Sequence, residues 1–214
     1  MARDEGVVVW LGELLVSEGL LSQSEVDRAL AAQAGGSPWF VVPLGLAEWF
    51  QRRGIECVIE LDWWQDWQSG DLTVTGLPAV HFSGRGPFDR NKTLWMSAAL
   101  ASPTRKVWFG GDTGYGATFR EIGARAGPFD IALVGIGAYT PRVIMESSHA
   151  TPEEAIAIVR DIGASRAVGM HWGSIMLTPE DPFEAPARFR QAALEQQYGE
   201  ANAWIMQIGE VRSF

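Results

Sequence analysis

The stretch "KVWFGGDTGYG", residues 106–116, decides the fold and raises the question of function. Its apolar run, Val107-Trp108-Phe109, stops at two glycines and an aspartate. An apolar run that ends at glycines is typical of a buried strand entering a turn. Because α/β proteins carry their chemistry at the carboxyl ends of strands, Asp112 is a candidate functional group. An aspartate in such a turn can equally cap its own backbone, and the stretch by itself leaves both interpretations open.

Composition and charge exclude several classes of protein. The 214 residues are 47% hydrophobic and 20% charged, as in an ordinary globular domain. A net charge of −9 provides no basic surface for nucleic acid and no attraction to anionic lipid. The single cysteine, Cys57, excludes an internal disulfide and a cysteine-rich zinc site, and it predicts a cytoplasmic location. The apolar stretches are too short to predict a signal peptide or a membrane span.

Two segments of different character follow each other. Residues 1–36 predict a helical hairpin, because apolar residues recur at helical spacing on both sides of Gly19. Residues 34–38, "AGGSP", read as a linker. Residues 39–214 alternate short β-rich runs with helical patterns near 46–53, 117–126, 152–162 and 183–197. Since the runs "DLTVTGLPAVHF" and "TLWMSAAL" could pair as antiparallel strands, the expected fold class is α/β, in layers.

The three histidines of the chain all lie at predicted turns. His81 and His171 end the β-rich runs "LPAVHF" and "RAVGMH", and His149 precedes a helix that opens with "TPEE". Strand ends converge in a layered sheet, so we expect His81, Asp112 and His171 in one crevice. His149 is expected at its rim, beside a helix N-terminus suited to an anion. Imidazole and carboxylate suit zinc or iron, although any one histidine could also be a core residue.

Residues 39–214 resemble the metallo-β-lactamase-fold hydrolases and, within them, the N-acylphosphatidylethanolamine-hydrolysing phospholipase D family. The matching stretches occur in order along the chain: "WFVVPLGLAEWF", "VIELDWW", "NKTLWMSAAL", "FGGDTGY", "FREIGARAGPFDIALVGIGAYTPR", "SSHATPEEA" and "MHWGS". The resemblance implies the C-terminal portion of an αββα sandwich, preceded here by the hairpin. It also implies a zinc-dependent phosphoric diester hydrolase, with a phospholipid or a small phosphodiester as substrate.

The resemblance assigns roles to four side chains. It implies that His81 binds one metal ion, that Asp112 bridges two ions and that His171 binds the other. His149 matches the position that contacts the substrate phosphate or the leaving group. Asp112 and His149 are therefore the predicted catalytic residues.

Several aromatic residues are candidates for substrate contact. Tyr115 and Tyr139 lie in the matching stretches, and we predict that they bind substrate. The tryptophans Trp63, Trp64 and Trp67 could line an acyl-chain groove, but grouped tryptophans could equally be packing.

The first metal motif of the superfamily, His-x-His-x-Asp-His, has no counterpart in the sequence. Its position falls near "VVVWLGELL", residues 7–15, which contains no histidine. The remaining ligands are therefore expected to hold one zinc ion or none, where the family holds two, with iron as an alternative metal. This predicts weak or no phospholipase D activity for the chain.

Residues 10–33, "WLGELLVSEGLLSQSEVDRALAAQ", resemble the N-terminal motif of type II secretion and pilus ATPases. Trp10 stands where that motif has arginine, and Val26 replaces a leucine. The family binds cyclic di-GMP through tandem copies, whereas this chain has one copy. An amphipathic hairpin packed on the domain is the other interpretation.

Three functions remain open at this stage. The first is a metal-dependent phosphodiesterase acting on N-acylphosphatidylethanolamine-like lipids. The second is a non-catalytic truncated or fused remnant that acts as a binding module. The third is a hydrolase of another ester or lactone. The sequence also leaves open peripheral contact with a membrane and homo-oligomerisation.

Overall fold

A computed structural model describes residues 39–84, 88–174 and 176–214. The predicted hairpin of residues 1–36, its linker and the ATPase-like motif of residues 10–33 lie outside the described residues. Residues Val41–Phe214 form one compact unit.

The described residues contain nine strands. They are β1 (Phe40–Pro43), β2 (Val58–Leu61), β3 (Asp66–Ser69), β4 (Leu72–Leu77), β5 (Ser97–Ala101), β6 (Lys106–Phe109), β7 (Ile131–Gly135), β8 (Ala167–Met170) and β9 (Ala203–Trp204). Strands β1 and β2 form a two-stranded sheet, and β3 to β9 form a seven-stranded sheet in sequence order. The pairs from β3 to β6 are antiparallel, and those from β6 to β9 are parallel. Strands β4, β6 and β8 consequently point the same way, so their carboxyl ends share one edge.

Helices occupy the connections between the strands. They are α1 (Ala47–Gln51), α2 (Thr118–Ala126), α3 (Arg142–Met145), α4 (Pro152–Asp161) and α5 (Ala185–Glu195), with a 3₁₀ turn at Glu200–Asn202. Among the described helices, none has the length and apolar character needed to cross a bilayer. The fold class predicted from the sequence, α/β, is confirmed.

The core lies where helices α2, α4 and α5 cover the parallel part of the large sheet. Trp108 of β6 is fully buried and meets Phe119 of α2 edge to face, with ring centroids 5.9 Å apart. Its indole N–H donates to the hydroxyl of Ser97 on β5 at 3.2 Å. Ile156 of α4 and Phe189 of α5 belong to the same buried cluster. The apolar run before Asp112 is therefore the central strand that anchors the loop after it.

Some predicted strands are shorter in the structure. The prediction that a strand extends to His81 is wrong, because β4 ends at Leu77. The next residue, Pro78, has no backbone N–H to donate to a neighbouring strand. His81 thus lies in a loop four residues beyond the strand. Of the closing run 202–214, only Ala203–Trp204 pairs as a strand.

Candidate metal centre

Four polar side chains from four loops meet at one edge of the large sheet. His81 follows β4, Asp112 follows β6, His149 lies between α3 and α4, and His171 directly follows β8. Ligand atoms of His81, Asp112 and His149 all lie within 4.8 Å of one another. His171 Nε2 lies 3.4 Å from Asp112 Oδ1. The structure therefore brings together the four residues that the sequence singled out.

The imidazole of His149 lies between the other two. Its centroid is 5.5 Å from that of His81, at an interplanar angle of 84°, and 5.3 Å from that of His171, at 28°. Three imidazoles and one carboxylate thus form a compact group of nitrogen and oxygen donors, which is the ligand chemistry of zinc and of non-haem iron.

His81 is held so that one ring nitrogen remains available. Its Nδ1 lies 2.8 Å from the carbonyl oxygen of Phe82, and the two rings stack with centroids 4.7 Å apart. A proton on Nδ1 would donate to that carbonyl and leave the lone pair on Nε2. Within the described residues, Nε2 is buried and has no hydrogen-bond partner. An orphaned buried nitrogen is costly, and coordination of a metal ion removes that cost.

Asp112 is aimed by a tight turn. Gly111 before it has φ +61°, a left-handed conformation that glycine adopts without steric cost. The Asp112 side chain is about half exposed, with 45% of its surface accessible, so the carboxylate faces the crevice and solvent. The two glycines that ended the β-run in the sequence therefore turn the chain and present this carboxylate.

His171 has a strained backbone. Its φ is +60°, which is uncommon for a residue with a side chain. A Cβ built on Gly137 would come within 2.1 Å of the His171 carbonyl oxygen, so only glycine permits this close approach. Strain of this kind persists where the surrounding structure imposes it, and it concentrates at functional sites.

The surroundings of His149 favour the neutral form of its imidazole. Burial lowers its pKa below the ordinary value; the nearby His171 and His81 act in the same direction, and the charge of Asp112 opposes them. Its backbone N–H donates to the carbonyl of Met145 at 2.8 Å. Neutral imidazole is the form that binds metal ions.

The helix beside His149 has a capped and acidic N-terminus. Helix α4 begins with a capping box in which Thr151 and Glu154 satisfy each other's backbone N–H groups. Glu153 and Glu154 also place negative charge in its first turn. The capping box and the acidic first turn disfavour an anion at this N-terminus, and the anion contact predicted from the sequence stays a prediction.

Two residues that the sequence analysis did not identify hold the loops in place. The buried Thr113 accepts a hydrogen bond from the N–H of Val80 on its hydroxyl (2.9 Å) and one from the N–H of Ala150 on its carbonyl (2.8 Å). Arg142 donates to the carbonyl of His149 at 2.8 Å and to both carboxylate oxygens of Glu154 at 2.8 and 3.0 Å. In the sequence, Thr113 was marked by its place directly after the candidate ligand Asp112, whereas its burial became visible in the structure.

The two predicted substrate-binding tyrosines have other partners. The hydroxyl of Tyr115 donates to Asp161 Oδ2 at 2.8 Å, and that of Tyr139, which is 2% exposed, donates to Glu184. The hydrogen bond to Asp161 raises the pKa of Tyr115, and burial raises that of Tyr139. Both hydroxyls are engaged by carboxylates on helices or their flanks, and their contact with substrate stays a prediction.

The tryptophan cluster is at least partly packing. The indole N–H of Trp63 donates to the carbonyl of Trp95 at 2.7 Å, and the two rings meet edge to face. The guanidinium of Arg125 lies 3.5 Å from the ring centroid of Trp64. These contacts tie the connection between β2 and β3 to the segment before β5 and to helix α2.

A cleft of about 300 Å³ opens beside His81 and Asp112. Its remaining lining consists of Pro43, Leu46, Ala79, Phe82, Ser83, Gly84, Leu94, Trp95 and Met96. A cleft of this size that combines apolar side chains with polar groups is a candidate small-molecule site.

Comparison with known proteins gives a family match across this region. A family model described as a beta-lactamase superfamily domain matches residues 24–172, which is more than half of the chain. The matched range includes all four residues of the centre.

Individual relatives and a solved structure agree with that match. An uncharacterized protein of Mycobacterium tuberculosis is 38% identical over 190 residues, covering 86% of this chain and 50% of that protein. N-acyl-phosphatidylethanolamine-hydrolyzing phospholipase D 1 of Caenorhabditis elegans is 39% identical over 146 residues, 64% of this chain and 41% of its own length. The chain thus spans about half the length, or less, of these relatives.

The solved structure is Igni18, a metallo hydrolase from Ignicoccus hospitalis. It superposes with a TM-score of 0.65 at 21% identity, covering 85% of this chain and 71% of Igni18. At this identity the likeness concerns the fold.

Proposed function

Because the chain belongs to the beta-lactamase superfamily, we propose that it is a metal-dependent hydrolase of phosphodiesters of the N-acylphosphatidylethanolamine type. The observation that carries the proposal is the position of Asp112. Its carboxylate lies within 4.8 Å of a ring nitrogen of His81 and 3.4 Å from Nε2 of His171. The similarity to the C. elegans phospholipase D supports the substrate class. A cytoplasmic location fits the single cysteine.

The residues of the centre fit a metal ion in two respects. Two ligand atoms bound to one tetrahedral zinc at about 2.1 Å lie about 3.4 Å apart. His171 Nε2 and Asp112 Oδ1 have this separation, 3.4 Å. The orphaned Nε2 of His81 is the second respect, because a buried imidazole nitrogen without a partner is suited to coordination. We assign His81, Asp112 and His171 to metal binding, with zinc as the expected metal and iron as the alternative.

The chemistry divides between the metal and the protein. A bound ion supplies Lewis-acid stabilisation of phosphoryl charge and lowers the pKa of water. Asp112 would contribute its carboxylate between His81 and His171. The loops that carry these two histidines would hold their ring nitrogens in place around it. The adjoining open cleft of about 300 Å³, lined in part by Leu46, Leu94 and Trp95, can accommodate an acyl-bearing part of the substrate.

We further propose that the 214-residue chain hydrolyses its substrate slowly. The sequence contains three histidines and lacks the His-x-His-x-Asp-His motif. A catalytic zinc normally has three protein ligands, and the four donors here do not suffice for two such sets. Loss of one charge-stabilising group in an active site typically costs about 100-fold or more in rate.

The test is release of phosphatidic acid from mixed micelles that contain N-acylphosphatidylethanolamine. The purified chain is stripped with a chelator and then supplied with zinc or iron. We expect a slow reaction that requires metal, that is abolished by Asp112→Asn, and that survives in Asp71→Asn, a control in the exposed turn between β3 and β4. A rate unaffected by metal removal would refute the proposal, and complete inactivity under all conditions would favour the binding module.

A further inference from the structure

Arg90 is an exposed arginine at the rim of the cleft that adjoins the metal centre. Its guanidinium carbon lies 4.2 Å from the ring centroid of Phe82, a residue that lines the cleft. The ring of Phe82 in turn stacks on that of His81, with centroids 4.7 Å apart. One aromatic side chain therefore connects the positive charge of Arg90 to a candidate metal ligand.

The hydrogen-bond donors of Arg90 are available. Within the described residues, no carboxylate forms an ion pair with its guanidinium and no acceptor takes a hydrogen bond from it. Arg142 and Arg188, in contrast, are each paired with a glutamate. A guanidinium held against an aromatic face keeps N–H groups free at its edge, and these groups match two oxygens of a phosphate.

The backbone at Arg90 is fixed to the wall of the cleft. The next residue, Asn91, donates its N–H to the carbonyl of Ser83 at 2.8 Å, and its side-chain oxygen accepts the Ser83 N–H at 3.3 Å. The hydroxyl of Ser83 donates to the carbonyl of Thr93 at 2.6 Å. A Cβ built on Gly84, another lining residue, would lie 3.9 Å from the Cα of Arg90. These contacts hold the base of the side chain at the rim, while the side chain itself faces solvent.

We propose that Arg90 captures the anionic phosphate group of a phospholipid at the rim of the cleft, on its way to the metal centre. The N–H groups of Arg90 donate to phosphate oxygens of the incoming lipid. This inference rests on the proposed function and deepens it. Arg90 would favour anionic phosphodiesters over the neutral esters and lactones that the sequence left open as substrates.

The charge of the rest of the protein makes one unpaired arginine effective. The net charge of −9 repels an anionic substrate on average. Asp112, the acidic residue in the lining of the cleft, adds to that repulsion when no metal ion is bound. A cation at the rim offsets the repulsion over a distance of about 8 Å at physiological ionic strength. Salt screens this attraction, so capture by charge has a salt dependence that apolar packing lacks.

Binding of two short-chain phospholipids to the metal-free protein tests the proposal without requiring turnover. Dihexanoylphosphatidic acid carries an anionic phosphate, whereas dihexanoylphosphatidylcholine has the same acyl chains and no net charge. Both are titrated as monomers by calorimetry. Wild type is compared with Arg90→Met, which removes the charge, and with Arg90→Lys, which keeps it. Arg190→Met is the matched control, because Arg190 is an exposed arginine of α5, outside the lining of the cleft.

We expect the wild type to bind phosphatidic acid more tightly than phosphatidylcholine. Arg90→Met should weaken binding of phosphatidic acid about tenfold, because a charge-assisted pair is lost. Binding of phosphatidylcholine should stay within about twofold in that variant, because packing of the acyl chains does not involve the charge. Arg90→Lys should give an intermediate affinity, since lysine keeps the charge without the paired geometry. Added salt should weaken binding of phosphatidic acid more in the wild type than in Arg90→Met.

Three results would overturn the inference. Circular dichroism and the thermal midpoint first establish that each variant folds. An equal loss of both lipids in Arg90→Met would mean that Arg90 supports the wall through Phe82 and does not act by its charge. Phosphatidic acid bound by Arg90→Met as tightly as by the wild type, or not bound by the wild type, would refute the capture. Inorganic phosphate that competes as strongly as phosphatidic acid would assign the site to a small anion. Failure of the proposed function is detected separately, as metal-independent or absent hydrolysis in the micelle assay.

Discussion

The hydroxyl oxygen of Thr113 accepts a hydrogen bond from the backbone N–H of Val80 at 2.9 Å. Val80 precedes His81, and Thr113 follows Asp112. The carbonyl of Thr113 accepts from Ala150, directly after His149. One buried threonine thus joins three of the four loops that carry the candidate ligands.

The first prediction concerns that threonine. Thr113→Val keeps the shape of the side chain but leaves the Val80 N–H without its acceptor. We expect a loss of about 1–3 kcal/mol in the free energy of unfolding, measured by urea denaturation of the metal-free protein. The affinity for Co²⁺, which substitutes for zinc and is titrated by its visible absorption, should fall by about 10–100-fold, because the ligand loops lose their common anchor. Thr113→Ser, which keeps the hydroxyl, should restore most of both. An unchanged affinity in Thr113→Val would show that Thr113 serves stability alone.

Arg142 gives a second test of loop positioning. Arg142→Met removes the hydrogen bond to the His149 carbonyl and the paired bonds to Glu154, and we expect weaker cobalt binding from the same titration. Arg120→Met is the matched control, since Arg120 is mostly exposed and lies 3.6 Å from Asp161. An exposed pair of this kind contributes little, so the control should bind cobalt as wild type does. Equal binding by both variants would contradict the positioning role.

Replacement of Gly137 by alanine is predicted to destabilise the protein. In Gly137→Ala the new methyl group would lie 2.1 Å from the His171 carbonyl, so the strained loop must move. We expect a loss of about 1–3 kcal/mol in the free energy of unfolding, together with weaker metal binding because His171 is displaced. Gly135→Ala is the control, because its nearest neighbour would be 3.7 Å away. A Gly137→Ala protein as stable as the control would mean that the close approach is not maintained in solution.

The ion pairs of Arg188 predict a pH dependence of stability. Burial acts to raise the pKa of Glu153, but hydrogen bonds from Arg188 and from the backbone outweigh it and lower the pKa. Bonds from Tyr139 and Arg188 lower the pKa of Glu184 in the same way. A carboxyl with a lowered pKa stabilises the fold above its unfolded value, and this contribution is lost as the pH falls through the folded value.

The stability difference between wild type and Arg188→Met should therefore be largest near neutral pH. It should shrink below the ordinary glutamate pKa of 4.5. Urea denaturation at several pH values measures it. A difference that grows on acidification would contradict the assigned pairs.

The convergence of ligands could be predicted from sequence, but its geometry could not. Asp112 and His171 follow closely on β6 and β8, whose direction and order bring their ends to one edge. His81 lies beside Asp112 as predicted, although its strand ends earlier, at Leu77. The hydrogen bonds of Thr113 to the neighbouring loops and the left-handed backbone conformation of His171 depend on contacts between residues far apart in sequence. Local sequence patterns do not encode such contacts.

The position of His149 shows the same limit. Its place before a helix in the sequence suggested an anion site at the helix N-terminus. The structure adds the capping box and acidic first turn of α4, which disfavour an anion, and ring contacts of His149 with His81 and His171.

Zinc bound per chain after equilibrium dialysis, in wild type and Asp112→Asn, tests the central claim most directly. In the proposed centre Asp112 contributes its carboxylate to every bound ion, so loss of that carboxylate should abolish tight binding. We predict one tightly bound zinc ion in the wild type and its loss in Asp112→Asn, with Asp71→Asn unchanged. Zinc retained by folded Asp112→Asn, or absent from the wild type, would contradict the account.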